Sequence, residues 1–169
     1  HEIGIDYTID KPLLKPALFE VVLRQFGYSE SFESEKDVAE ADSQKLAGLQ
    51  VLVAEDNHIN QEIIRELLSR FGINPVIVMN GKEAIKAIMR SEYDLVLMDV
   101  QMPEMDGSEA TAFIRDQGRF ADLPIIGISA NALAEEKNRC LEVGMNDYLT
   151  KPIDVNAFHG VLIKWAGAD

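Results

Sequence analysis

Apolar residues recur along most of this chain in two alternating rhythms. Gln50 to Ala54 is a short apolar run with β-branched members, the signature of a strand; Ile59, Ile63, Ile64, Leu67, Leu68 and Phe71 then follow at helical spacing up to Gly72. The pair repeats as Val76-Ile77-Val78 before Ala84, Ile85 and Ile88, and as Leu95-Val96-Leu97 before Ala110, Phe113 and Ile114. Pro124-Ile125-Ile126-Gly127-Ile128 precedes a helix expected over about Ala132 to Val143, and Asp147-Tyr148-Leu149 precedes one carrying Val155, Phe158, Val161, Leu162 and Trp165. Five strand-helix units in succession predict an α/β chain with an open, doubly wound parallel sheet covered on both faces. Upstream, from Tyr28 to Lys45, the periodicity lapses and Glu30, Glu33, Glu35, Asp37, Glu40 and Asp42 gather among serines and alanines, which is linker composition. A further helix is expected over about Leu13 to Phe26. The expected organisation is therefore an N-terminal piece at 1–27, an acidic linker at 28–47 and a folded domain at 48–169.

Composition narrows what such a chain can do. With 47% hydrophobic and 27% charged residues it can bury an ordinary globular core. A formal net charge of −13 argues against a nucleic-acid partner, because that binding relies on Lys and Arg neutralising phosphates. No apolar run approaches the roughly 18 to 20 residues of a membrane span, so no direct membrane contact is expected of this piece. One cysteine, Cys140, allows no internal disulfide and is expected in a helix as a small buried residue; a reducing cytoplasm suits it. The chain starts at His1 without a signal or transit pattern and is read as a piece of something longer, whose parent could carry a membrane anchor elsewhere.

In open parallel sheets the chemistry gathers at the carboxyl ends of the strands. Here those ends carry Glu55-Asp56-Asn57, Asp99, Ser129-Ala130 and Lys151-Pro152. Three carboxylates brought within 4 to 6 Å repel one another by about 4 kcal/mol per close pair at an effective dielectric near 20, so a cation must offset them. A hard divalent ion taking oxygen ligands, Mg²⁺ first and Mn²⁺ as an alternative, fits that need, and Lys151 supplies further positive charge. Taken singly the residues have bland readings: Glu55-Asp56-Asn57 as helix caps, Asp99 as a loop acid, Lys151 as a solvated side chain. Their joint placement is what points to chemistry. An aspartate nucleophile, a divalent cation and a lysine suffice for phosphoryl transfer, whose loose transition state asks mainly for positioning and positive charge. Pro103 and Gly107 suit a tight turn after the third strand, the glycine by permitting a positive φ.

Val51-Leu52-Val53-Ala54-Glu55-Asp56-Asn57, Leu97-Met98-Asp99-Val100-Gln101-Met102-Pro103-Glu104-Met105-Asp106-Gly107 and Tyr148-Leu149-Thr150-Lys151-Pro152 together resemble the ordered motifs of two-component receiver domains, over about Leu49 to Gly167. The resemblance implies a flavodoxin-like (βα)5 sheet with strand order 2-1-3-4-5. It implies Asp99 as the phosphorylated nucleophile, Asp56 as a direct metal ligand, Glu55 acting through a metal-bound water and the main-chain carbonyl of Gln101 as a further ligand. Ser129 and Lys151 would bind phosphoryl oxygens, and Ser129 and Tyr148 would switch with activation, altering the face of the fourth helix, fifth strand and fifth helix. The donor would be a phosphohistidine on a histidine kinase core or a histidine phosphotransfer protein. The first acid is Glu rather than Asp and the hydroxyl Ser rather than Thr, departures that leave the chemistry intact.

The likeness has an echo near the start. Asp6-Tyr7-Thr8-Ile9-Asp10-Lys11-Pro12-Leu13 resembles the stretch from Asp147 to Ile153, and Ala17, Leu18, Val21 and Val22 fall opposite Ala157, Phe158, Val161 and Leu162. It reads as the last strand and helix of an upstream receiver, so that the parent resembles a hybrid sensor histidine kinase with tandem receivers. That helix, lacking most of its own sheet, is expected to dock on the receiver or on another copy of the chain. No kinase core or ATP-binding glycine box is present, so this piece does not phosphorylate itself from ATP. His1, His58 and His159 read as surface or capping residues. Among rivals, a hydrolase of the haloacid dehalogenase type would need an acid at Gln101, a flavodoxin-type carrier would place its phosphate against Glu55 and Asp56, and a pseudo-receiver would have lost part of the acidic set.

Overall fold

The computed structural model describes residues 46–166; the N-terminal receiver remnant, its helix and the acidic linker up to residue 45 lie outside the described residues. The elements are β1 (Val51–Ala54), α1 (His58–Ser69), β2 (Val76–Val78), α2 (Gly81–Arg90), β3 (Leu95–Asp99), α3 (Gly107–Asp116), β4 (Ile125–Ser129), α4 (Ala134–Glu142), β5 (Asp147–Thr150) and α5 (Val155–Trp165). All strands run parallel in the order β2-β1-β3-β4-β5, the flavodoxin-like order the motifs implied. Every residue of β1, β3 and β4 is buried, as strands covered on both faces must be. Leu52, Ala54, Val96, Met98 and Ile125 share one core cluster with Ala84 and Ile88 of α2, Ala110 and Ile114 of α3 and Cys140 of α4. By strand alternation Val51, Val53, Leu95 and Leu97 point the other way, toward the face left for α1 and α5. Phe71, in the turn just after α1, stacks its ring on His159 of α5, 5.2 Å apart and 12° from parallel. Leu46, at the junction with the linker, is fully buried.

Local sequence explains the boundaries. Asn57 caps α1 by accepting from Ile59 and Asn60 N–H, and after Ser69 the chain turns at Gly72 (φ 72°) with Ile73 N–H returning to Leu68 O. Asp106 and Glu109 form a reciprocal capping box at the start of α3. Helix α4 begins two residues later than its periodicity suggests, at Ala134, because the Asn131 side chain accepts from Leu133 N–H and holds the preceding segment in a turn.

At the amino ends of β4 and β5, Arg115 of α3 donates to Phe120 O (2.6 Å), Leu123 O (2.9 Å), Gly144 O (2.8 Å) and Asn146 Oδ1 (2.7 Å). Its planar fork thus satisfies carbonyls of two connecting loops at once. His159 is half-buried rather than a surface or capping group, its Nε2 enclosed without a hydrogen-bond partner, because the stack on Phe71 draws the ring into the α1–α5 seam. Among the described residues no helix is long and apolar enough to cross a membrane.

Candidate metal and active site

The carboxyl ends of β1, β3 and β5 converge on one another. Glu55 follows β1 directly, its N–H bonded to Val78 O at 3.0 Å, and its side chain is 1% exposed. Its Oε1 accepts from Asn57 N–H (3.2 Å) and Asn60 Nδ2 (2.9 Å), its Oε2 from Lys151 Nζ (2.7 Å), and its carbonyl from Gln61 Nε2 (2.6 Å). Asp99 ends β3 and is 4% exposed. One of its oxygens accepts from Gln101 N–H at 3.1 Å and the other from Lys151 Nζ at 2.6 Å. Asp56 is half-buried, and ligand oxygens of Glu55, Asp56 and Asp99 all lie within 4.8 Å of one another. The bland capping role falls to Asn57, which leaves both acids before it turned to the cluster.

Electrostatics follow from this crowding. Burial pushes Asp99 up from its ordinary 3.8 to about 6, with Glu55 adding to the rise and Lys151 and the Gln101 N–H opposing it. Burial alone would lower Lys151, but its bonds to Asp99 and Glu55 prevail and hold it above its ordinary value. With all three acids ionised, one ammonium leaves two negative charges, which a divalent cation balances. The donors are hard oxygens, so the residues present fit such an ion.

The remaining expected residues stand at the rim. Lys151 follows β5, its N–H bonded to Ser129 O at 2.7 Å and its bond to Pro152 cis. Ser129 ends β4 fully buried, its hydroxyl accepting from Asn131 N–H at 3.1 Å. The Tyr148 hydroxyl donates to the Asn131 carbonyl, which ties the expected switch residue to the β4–α4 loop, and its ring packs at the edge of the core cluster. Gln101 is exposed and joins the site through its N–H.

The turn after β3 departs from expectation in one respect. The positive φ falls on Glu104 (64°), whereas Gly107 is required for space: a Cβ there would lie 2.2 Å from Asp99 O. A glycine lets α3 begin directly against the backbone of β3 at Asp99. Sequence reading also passed over Asn60 and Gln61, although Gln61, polar and buried on the apolar face of α1, was a visible sign.

Comparison with known proteins agrees with this geometry. The family described as "Response regulator receiver domain" matches residues 51–162. The sensor protein GacS of Pseudomonas syringae pv. syringae is 43% identical over 120 residues, covering 69% of this chain but only 13% of that protein's own length. A crystal structure of the receiver domain of sensor histidine kinase PA1611 from Pseudomonas aeruginosa PAO1, with magnesium coordinated in its active-site cleft, is 39% identical with a TM-score of 0.67; the match covers 72% of this chain and all (100%) of that one. The receiver domain of the Saccharomyces cerevisiae response regulator Ssk1, solved with the histidine phosphotransfer protein Ypd1, is similar at 31% identity and a TM-score of 0.66, over 70% of this chain and 88% of that one. With the strand order, the acidic cluster and the family match in agreement, this chain belongs to the response regulator receiver domains.

Proposed function

We propose that this receiver takes a phosphoryl group from a phosphohistidine onto Asp99. The observation that carries the reading is the ammonium of Lys151 lying 2.6 Å from Asp99 and 2.7 Å from Glu55, beside carboxylate oxygens gathered within 4.8 Å. A carboxylate oxygen of Asp99 bonds to phosphorus as the phosphorus–nitrogen bond breaks, and the departing imidazole keeps the electron pair. Lys151 meets the negative charge of the transferred group, and the Ser129 hydroxyl, whose oxygen accepts from Asn131 N–H, donates its own proton to another oxygen. Asp56 and Asp99 would hold Mg²⁺, or Mn²⁺ in its place, directly, with the Gln101 carbonyl beside them and Glu55 at one remove. Bound there, the ion supplies charge neutralisation for the phosphoryl oxygens.

The partner on this reading is the phosphohistidine of a kinase core or of a histidine phosphotransfer protein, as in the Ssk1 complex with Ypd1. The parent on this reading is a hybrid sensor histidine kinase, supported by the likeness to the sensor protein GacS and to the hybrid signal transduction histidine kinase B of Dictyostelium discoideum, and this receiver piece of it acts in the cytoplasm. The upstream receiver remnant at 1–27 and the linker at 28–47 stay part of that proposal. Incubation with a small phosphodonor and Mg²⁺, followed by intact mass, tests it. A single phosphoryl adduct that disappears in Asp99→Asn supports a receiver; free phosphate without an adduct points to a phosphatase; an inert chain points to a scaffold.

A further inference from the structure

Glu55 is longer by one methylene than an aspartate, so its carboxylate has an additional rotatable bond to be fixed before it can aim at anything. Lys151 alone fixes only Oε2. The other oxygen is claimed from α1, where Asn60 Nδ2 reaches it at 2.9 Å and Asn57 N–H at 3.2 Å. A carboxylate only accepts, so the Asn60 amide must present its N–H group there. Asn60 itself lies in the first turn of the helix, half-buried, its own N–H received by Asn57 Oδ1.

We propose that Asn60 is a positioning residue of the phosphoacceptor site: by reserving Oε1 of Glu55 it keeps Oε2 on Lys151, and so keeps the ammonium beside Asp99. The inference rests on the phosphoacceptor reading above and extends it into α1. Asn60 does not touch the reacting atoms. It acts through Glu55, which in turn orients Lys151, a chain of hydrogen bonds from helix to strand end to strand end. Helix energetics separate this role from a structural one. Asparagine is a poorer helix former than alanine, so Asn60→Ala should leave α1 at least as stable while loosening Glu55.

The test uses the whole chain as wild type, Asn60→Ala and Asn60→Asp, the last keeping size while losing the N–H donor. With a small phosphodonor and Mg²⁺, phosphorylation of Asp99 should slow by about tenfold or more in both variants. Thermal unfolding of Asn60→Ala should not fall. Independently of turnover, the Lys151 ammonium resonance of the metal-free, ¹⁵N-labelled protein should be protected from exchange in the wild type and broadened by water in both variants. An unchanged resonance in Asn60→Ala, or a lowered melting temperature that accounts for its slower labelling, would overturn the proposal. If the wild type itself takes no phosphoryl group, the phosphoacceptor reading fails, and the Lys151 resonance still decides whether Asn60 holds the ammonium.

Discussion

Asp99 is pulled in two directions by its surroundings. Burial drives its carboxyl to about 6, while Lys151 and the Gln101 N–H favour the ionised form that the proposed phosphoryl transfer needs. A carboxyl raised on folding favours the native state most below its ordinary 3.8, and that advantage is lost as pH rises through about 6. At neutral pH without metal the ionised group therefore weakens the fold. Asp99→Asn should raise the unfolding free energy by on the order of 1–3 kcal/mol while removing phosphoryl labelling. Urea unfolding at pH 7 in chelator checks it, and a midpoint equal to or below wild type would contradict the electrostatics. The two acids after β1 should also behave differently. Both oxygens of Glu55 already receive donors, whereas no described residue donates to Asp56. In a calorimetric Mg²⁺ titration, Asp56→Asn should weaken binding on the order of a hundredfold and Glu55→Gln nearer tenfold. Equal losses would contradict the roles assigned to them.

At the scale of elements, the loop after β3 shows where sequence reading reaches and where it stops. The five strand-helix units and their strand-end acids were legible because burial on both faces imposes continuous apolar strands and one-sided helices, and because parallel strands bring their carboxyl ends together. Gly107 looked like a turn residue, and only the fold reveals that its missing side chain makes room for the carbonyl of Asp99. Asn60 and Gln61 were missed for a related reason, since their contacts depend on how α1 is rotated against β1. The start of α4 was misplaced because Asn131 spends its side chain on a turn, a local competition that periodicity does not register. The crowding at Gly107 has a measurable cost. Gly107→Ala should destabilise the domain by about 1–3 kcal/mol and slow phosphorylation, because α3 must retreat from the reactive strand. Chemical denaturation alongside labelling checks both effects, and an alanine variant as stable as wild type would mean that α3 shifts freely.

Across the whole receiver, opposite ends of the sheet are built for opposite purposes. The carboxyl end holds like charges close together; the amino end is tied by Arg115 to four carbonyl oxygens and by Asp147 to α5. Asp147 accepts from Lys164 Nζ (2.7 Å), Trp165 Nε1 (3.0 Å) and Tyr148 N–H (3.0 Å). Burial would raise its carboxyl, but the Lys164, Trp165 and Tyr148 donors outweigh burial and hold it below its ordinary value. A depressed carboxyl contributes stability above its unfolded pKa and loses it as pH falls through the folded one. Asp147→Asn should therefore cost about 1 kcal/mol at neutral pH and progressively less in acid. Thermal melts across the acid range give the answer, and a pH-independent difference would show that shape rather than charge matters there.

Trp165, which donates to that same carboxylate, is the only tryptophan in the chain, and the Lys164 ammonium sits 4.9 Å from its ring centroid. Asp147 and Lys151 are separated by the length of β5, roughly 13 Å at about 3.3 Å per residue. The molecule's natural fluorophore thus watches the α5 anchorage from the far end of the strand. Emission should follow melting of that joint, and quenching on acidification should track protonation of Asp147. Cation or phosphoryl capture at Asp99 should leave the tryptophan spectrum nearly dark to the event, unless the whole of β5 and α5 moves with it.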